Sequence, residues 1–229
     1  MTGEKHDPNR PKFYGRRKGR ALNRSMVAVV EDDLPRYAVD PAALPAEPTD
    51  MFDRPVRDLW LEIGFGSGEH LLGQAKANPD IGMIGCEPFI NGVAKLVRDV
   101  TASGTDTIRI LPDDARLLLD ALPDACIGRA FVLFPDPWPK KRHNFRRFIG
   151  PENLPRLARV LRPGGTLRCA TDHPDYLAWM LFYIRANPAF RWLAKGPSDW
   201  AVPPADHVRT RYETKALAGV PHYLDFLRV

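Results

Sequence analysis

The sequence predicts an α/β fold, a parallel sheet with helices on both faces. Three observations predict it. From Val56 onward short apolar runs alternate with stretches of helical spacing. A glycine-rich turn joins the first apolar run to the first helical stretch. Five successive runs end in a carboxylate, and in such sheets ligands bind at the C-terminal ends of the strands.

The elements follow in order. RDLWLEIGFGSG reads as a strand and its turn, and Ser67 to Ala77 as a helix with Leu71, Leu72 and Ala75 on one face. IGMIGCEP is the second strand, and Ile90 to Ala102 a helix presenting Val93, Leu96, Val97 and Val100. TIRILPDDA gives the third strand and Ala115 to Leu122 a short helix. IGRAFVLFPDPW is the fourth strand; the helix from Glu152 to Leu161 stops at Pro163-Gly164-Gly165. TLRCATDHPD is the fifth strand, Tyr176 to Ala186 a helix, and VPHYLDFLRV a final strand. Upstream, residues 1–33 read as a flexible basic arm and residues 34–55, with five prolines, as a linker with at most a helical turn. Residues 56–229 form the domain.

The chain has 229 residues with 44% hydrophobic composition, enough for one core with extensions. No run approaches a membrane span, and the N-terminus lacks the apolar region of a secretory signal, so a cytoplasmic protein is expected. Cys86, Cys126 and Cys169 are far apart and read as free thiols. His70 and His173 have no ligand spacing with any cysteine, and no metal is expected. The net charge is +5, but residues 1–24 alone carry eight Lys/Arg against two acids; the remainder holds 25 basic against 26 acidic residues. A second cationic cluster, Lys140, Lys141, Arg142, Arg146 and Arg147, has no acid between Pro137 and Pro151. Two concentrated patches on a balanced body suit a polyanion, most simply nucleic acid.

The strand ends carry Glu62 and Gly64, Glu87, Asp113 and Asp114, Asp136, and Asp172. Gly64 and Gly66 let the backbone approach a ligand closely. Their spacing, G-x-G-x-G, differs from the dinucleotide pattern. Glu87, 23 residues after Gly64, suits the two hydroxyls of a ribose; Asp114, followed by Ala115, suits an adenine amino group; Glu62 suits a cationic amino-acid moiety. Asp136 is pinned between Pro135 and Pro137, so its loop is stiff.

LEIGFGSGEH, GCEP, PDDA and LRPGG, in that order, resemble the class I S-adenosylmethionine methyltransferases, a Rossmann-like fold with a seven-stranded, mostly parallel sheet. FPDPWPKKRHNFRR, with ATD at 170–172 and TRYETK at 210–215, is similar to the tRNA (guanine-N7-)-methyltransferases. Arg211 and Tyr212 replace the Lys-Phe typical of that family, Pro139 stands where it often has His, and Phe145 where it often has Lys or Arg. The resemblance implies methyl transfer from S-adenosyl-L-methionine to N7 of a tRNA guanine, usually position 46 in the variable loop. It implies Asp136 as catalytic residue and cofactor neighbour, with Glu62, Gly64, Gly66, Glu87, Asp114 and Ala115 on the cofactor. Lys140, Asp172, Thr210, Arg211, Tyr212 and Glu213 would face tRNA, and Lys141, Arg142, Arg146 and Arg147 its phosphates. Trp138 suits either stacking on a base or packing under its loop. No obligatory protein partner and no membrane are expected, with the chain a monomer or weak homodimer. Methylation of another RNA and a tRNA-binding protein without catalysis stand as alternatives; a nicotinamide dehydrogenase is disfavoured by the glycine spacing.

Overall fold

The computed structural model describes residues 11–215 and 219–229. The first ten residues of the basic arm lie outside the described residues. Seven strands form one sheet: β1 (Asp58–Ile63), β2 (Ile81–Cys86), β3 (Ile108–Leu111), β4 (Ile127–Leu133), β5 (Leu161–Thr171), β6 (Phe190–Trp192) and β7 (His222–Arg228). Their order is β3-β2-β1-β4-β5-β7-β6. The first five are parallel, whereas β7 runs antiparallel to β5 and to β6. Strand order therefore reverses between β1 and β4, and the crevice beyond their C-terminal ends is the switch point where such sheets bind ligands.

Two apolar layers sandwich the sheet. Helices α2 (Glu69–Ala77) and α3 (Ile90–Ser103) bring Leu71, Val93, Leu96, Val97 and Val100 against Ile81, Met83 and Phe131. On the other face α4 (Ala115–Ala121), α5 (Leu154–Val160) and α6 (Pro174–Ala186) bring Leu118, Leu157, Met180 and Ile184 against Leu61, Ala130 and Val132. Strand β4 alternates between the layers, as a period-two pleat requires.

Upstream of β1 the structure is more ordered than composition suggests. Helix α1 (Arg24–Ala28) is capped by Asn23 and continues as wider turns to Asp33, with Val29 and Val30 against the α3 layer. Residues 34–55, read as a linker, bury Leu34, Tyr37, Val39 and Phe52. The amides of Val39 and Ile110 donate to the carbonyls of Ile110 and Tyr37, which lengthens the sheet edge beside β3. Pro41 and Pro48 each open a single helical turn, the position where proline's missing N–H does no harm. Two further short helices, α7 (Ser198–Ala201) and α8 (Arg211–Lys215), precede β7. Cys86, Cys126 and Cys169 are free; burial pushes all three thiols up, Cys126 to about 11. Among the described residues no helix is long and apolar enough to cross a membrane.

Candidate functional site at the switch crevice

The turn after β1 is built on left-handed glycines. Gly66 has φ +59°, and its amide donates to Glu87 Oε2 at 2.8 Å. Phe89 N donates to the other oxygen at 2.9 Å, so Glu87 clasps the turn to the end of β2. Each oxygen keeps a lone pair for a further donor. Burial pushes the Glu87 carboxyl above its ordinary value against these two amides, with Asp136 and Glu62 adding repulsion. Gly92 on α3 closes the other side: a Cβ there would lie 2.0 Å from the Gly66 carbonyl oxygen.

Glu62 is buried, and His70 Nδ1 meets its Oε2 at 2.7 Å. Gln74 fixes the tautomer. Its Oε1 takes the Asn78 amide, so its Nε2 faces His70 Nε2 at 3.3 Å and the Asp206 carbonyl at 2.6 Å as a donor. His70 Nε2 is then the acceptor and Nδ1–H the donor to Glu62. From the sequence His70 is weighed only as a metal ligand and Gln74 is not singled out, although His70 lies eight residues after Glu62, on the helix that the glycine turn opens.

A cavity of about 380 Å³ lies here, lined by Glu62, Gly64, Gly66, Phe134, Thr210 and Tyr212 among others. Its roof is the segment before β7. Thr210 and Glu213 form a reciprocal cap of α8: Glu213 Oε2 accepts from Thr210 N and Oγ1 at 2.8 and 2.9 Å, and Thr210 Oγ1 accepts from Glu213 N at 3.3 Å. Glu213 Oε1 also meets His207 Nε2 at 2.7 Å and the Tyr223 hydroxyl at 2.6 Å. Burial would raise this carboxyl, but His207, Tyr223 and the Thr210 amide outweigh it and hold it at about 2. Glu213, expected to face tRNA, is thus turned inward and anchors the roof. The T-x-x-E spacing was readable as a capping box. Asp206 adds a second anchor through Arg168 and Arg129, each at 2.7 Å.

Tyr212 and Arg211 remain on the outside. The Tyr212 ring lies 5.4 Å from Phe134, and its hydroxyl donates to Asp172 Oδ1 at 3.4 Å. Burial raises the Tyr212 phenol, with Asp172 and then Asp136 adding to the shift. Asp172 is buried at the end of β5. Asp136 opens onto the mouth and accepts no hydrogen bond from the described residues; burial among its neighbours pushes its carboxyl up. Its loop is strained. Phe134 and Trp138 have φ +49° and +44°, a conformation that costs a side-chain-bearing residue about 1–2 kcal/mol.

The residues expected to meet an adenine differ from expectation in one respect. Asp114 caps α4 and pairs with Arg116, which contacts both its oxygens, so its carboxylate is not open to an amino group. Arg116 also donates to the Lys12 carbonyl at 2.9 Å, and Arg17 reaches Asp113 at 2.9 Å. Gly19 N donates to Asn91 Oδ1, and Tyr14 packs edge-on to Phe145. Residues 12–20 therefore run across the mouths of β2 and β3 as far as the cationic segment. Ala115 is buried at the start of α4.

Lys140, Lys141 and Arg142 are exposed. Arg146 stacks over Trp138 and Tyr14, at 4.9 and 4.6 Å. Trp138 is half-buried, with His143 edge-on at 6.1 Å. Arg147 is turned inward with its side chain fully buried, so a phosphate contact is not open to it in this geometry. Among the described residues no cluster suits a metal ion.

Comparison with known proteins agrees with this picture. A family model described as a putative methyltransferase matches residues 56–222. A tRNA (guanine-N(7)-)-methyltransferase of Rhodospirillum rubrum is 51% identical over 223 residues, 95% of this chain and 88% of its own. One from Azorhizobium caulinodans is 46% identical over 231 residues and 100% of both chains. Among solved structures, the 16S rRNA methyltransferase KamB superposes with a TM-score of 0.57 at 18% identity, over 82% of this chain and 95% of its own. The 16S rRNA (adenine(1408)-N(1))-methyltransferase from Catenulisporales acidiphilia gives 0.55 at 14%, over 83% and 94%. At such identities the likeness concerns the fold, a Rossmann-like class I methyltransferase sheet.

Proposed function

The chain belongs to the tRNA (guanine-N(7)-)-methyltransferase family, and from that membership we propose that it transfers a methyl group from S-adenosyl-L-methionine to N7 of a guanine in tRNA, position 46 of the variable loop. The observation that carries this reading is the placing of Asp136, on a proline-stiffened loop with a cationic run behind it, across the switch crevice from Glu62 and the glycine turn.

The residues present fit the cofactor. Gly64 and Gly66, where an added Cβ would meet nothing, leave a cradle for its backbone-facing part. Glu62, held by His70, takes the ammonium; Glu87 takes the ribose through the lone pairs its amides leave free. Asp114 acts through Arg116 and the α4 terminus. When bound, the cofactor supplies an electrophilic methyl on a sulfonium.

The protein's work is then orientation and charge. Guanine N7 carries a lone pair and no proton, so no general base is needed. Holding N7 in line is worth about 7–11 kcal/mol. Asp136 stabilises positive charge growing on the purine, and its carboxylate accepts from the N1–H and 2-amino group side by side, a donor pair that adenine, with an unprotonated N1 and its amine on C6, does not present. Asp172, tethered by Tyr212, lines the same side. Lys140, Lys141 and Arg142 meet phosphates, giving salt-dependent affinity.

The test uses purified protein, radiolabelled S-adenosylmethionine and unmodified tRNA transcript, with Asp136→Ala alongside. Label should enter tRNA at a site that becomes cleavable by reduction and aniline, and the folded variant should transfer none. Cofactor binding without label in tRNA would overturn the substrate assignment.

A further inference from the structure

We propose that Arg147 is a positioning residue for methyl transfer: it clamps the Asp136 loop to the helix that follows Asp172, and so fixes the spacing of the two carboxylates. The inference rests on the function proposed above.

Arg147 closes the cationic segment, where a phosphate contact is the simple expectation. Its guanidinium instead points into the protein. Nε donates to the Pro137 carbonyl at 2.8 Å, one residue beyond Asp136. NH2 pairs with Asp175 in the first turn of α6, three residues beyond Asp172. The group lies against the rings of Tyr176 and Trp179, both at 5.0 Å. Those rings are themselves pinned, since Ile149 N donates to the Tyr176 hydroxyl at 3.1 Å and Trp179 Nε1 donates to the Ile149 carbonyl at 2.8 Å.

Two features make a purely structural filler a poor description. The NH1 group is buried without a hydrogen-bond partner, so the cation is held here at an electrostatic penalty that an outward-facing arginine would avoid. The loop that it grips is the strained one, with left-handed Phe134 and Trp138 on either side of Pro-Asp-Pro. Such backbone persists only where its surroundings over-determine it. Asp136 itself accepts no hydrogen bond from the described residues, so its position comes from its backbone, and Arg147 holds that backbone. Lysine cannot replace the fork, because one ammonium does not span Pro137 and Asp175 with the same planar geometry.

The experiment compares full-length wild type, Arg147→Lys, Asp175→Asn and Lys141→Ala. Each is measured for single-turnover methyl transfer at saturating tRNA, for the salt dependence of tRNA affinity, and for amide exchange of residues 134–148 in the free protein. A clamp predicts that Arg147→Lys lowers the saturated rate by about 100-fold, the size expected for a misplacement near 1 Å. Its salt slope should equal that of wild type, and exchange in the loop should accelerate. Asp175→Asn, altered at a largely exposed side chain, should move rate and exchange the same way but less. Lys141→Ala should reduce the magnitude of the salt slope by about 0.7–0.9 and leave loop exchange unchanged. A reduced salt slope for Arg147→Lys with normal saturated rate and loop exchange would make it a phosphate contact and overturn the proposal. If Arg147→Lys does not fold, Asp175→Asn decides, and unchanged rate and exchange there overturn it. If wild type transfers no methyl to tRNA, the functional reading fails separately, and amide exchange alone judges the clamp: unchanged exchange in both variants sinks it.

Discussion

Replacing Glu213 by glutamine should destabilise the protein in a pH-dependent way. Its carboxylate is buried, accepts from His207, Tyr223 and Thr210, and is held at about 2 against an ordinary 4.5. A carboxyl depressed on folding contributes stability that is fully present above its unfolded value and is lost as pH falls through the folded one. Linkage puts the contribution at about 3 kcal/mol at pH 7 and about 1 kcal/mol at pH 3. Glutamine keeps the volume and an acceptor oxygen but carries no charge, so its stability lacks this pH dependence. Urea unfolding of the two proteins, followed at several pH values with equal m-values, should give a gap near 3 kcal/mol at pH 7 that narrows by about 2 kcal/mol at pH 3. A gap that stays constant across this range, or no gap at neutral pH, would refute the assignment of Glu213 as the roof's charged anchor.

Two more outcomes follow from the site. His70→Ala leaves the Glu62 carboxylate buried without its donor, so S-adenosylmethionine affinity should fall at least about 10-fold by calorimetry; unchanged affinity would remove His70 from the cofactor site. Methyl transfer in single-turnover assays should be flat from neutral to mildly alkaline pH, because N7 has no proton to lose. It should fail on the acid side at a pH above the ordinary aspartate range, since burial raises Asp136; a steep rise near pH 8 would count against direct attack by N7.

The parallel core and its carboxylate row were legible because each signal was local. Strands β1 to β5 are short apolar runs, and each acid follows its run directly, so topology alone brings Glu62, Glu87, Asp136 and Asp172 to one edge. The antiparallel end was harder: β6 is only three residues, Phe190–Trp192, and its identity comes from pairing with β7. Residues 34–55 read as a linker because proline count masked four well-spaced apolar residues that the sheet edge buries. The roles of Arg147 and Glu213 were read outward from charge type, whereas direction is decided by partners distant in sequence, Asp175 for one and Tyr223 for the other. Asp114 shows the same limit at short range: its partner Arg116 is two residues away, and only the turn of α4 brings the guanidinium back onto it.

The crevice also explains how binding and chemistry share one field. Burial pushes the Glu87 carboxyl up, and Asp136 and Glu62 push it further, so these acids sit together against their own repulsion. A cation between them relieves that repulsion, and S-adenosylmethionine carries two positive centres, ammonium and sulfonium. On the function proposed above, transfer would move one of those charges onto the purine, away from Glu62 and Glu87 and toward Asp136 and Asp172. Carboxylates on that receiving side would meet charge that exists there only as the bond forms, and stabilisation of that kind is selective for the transition state.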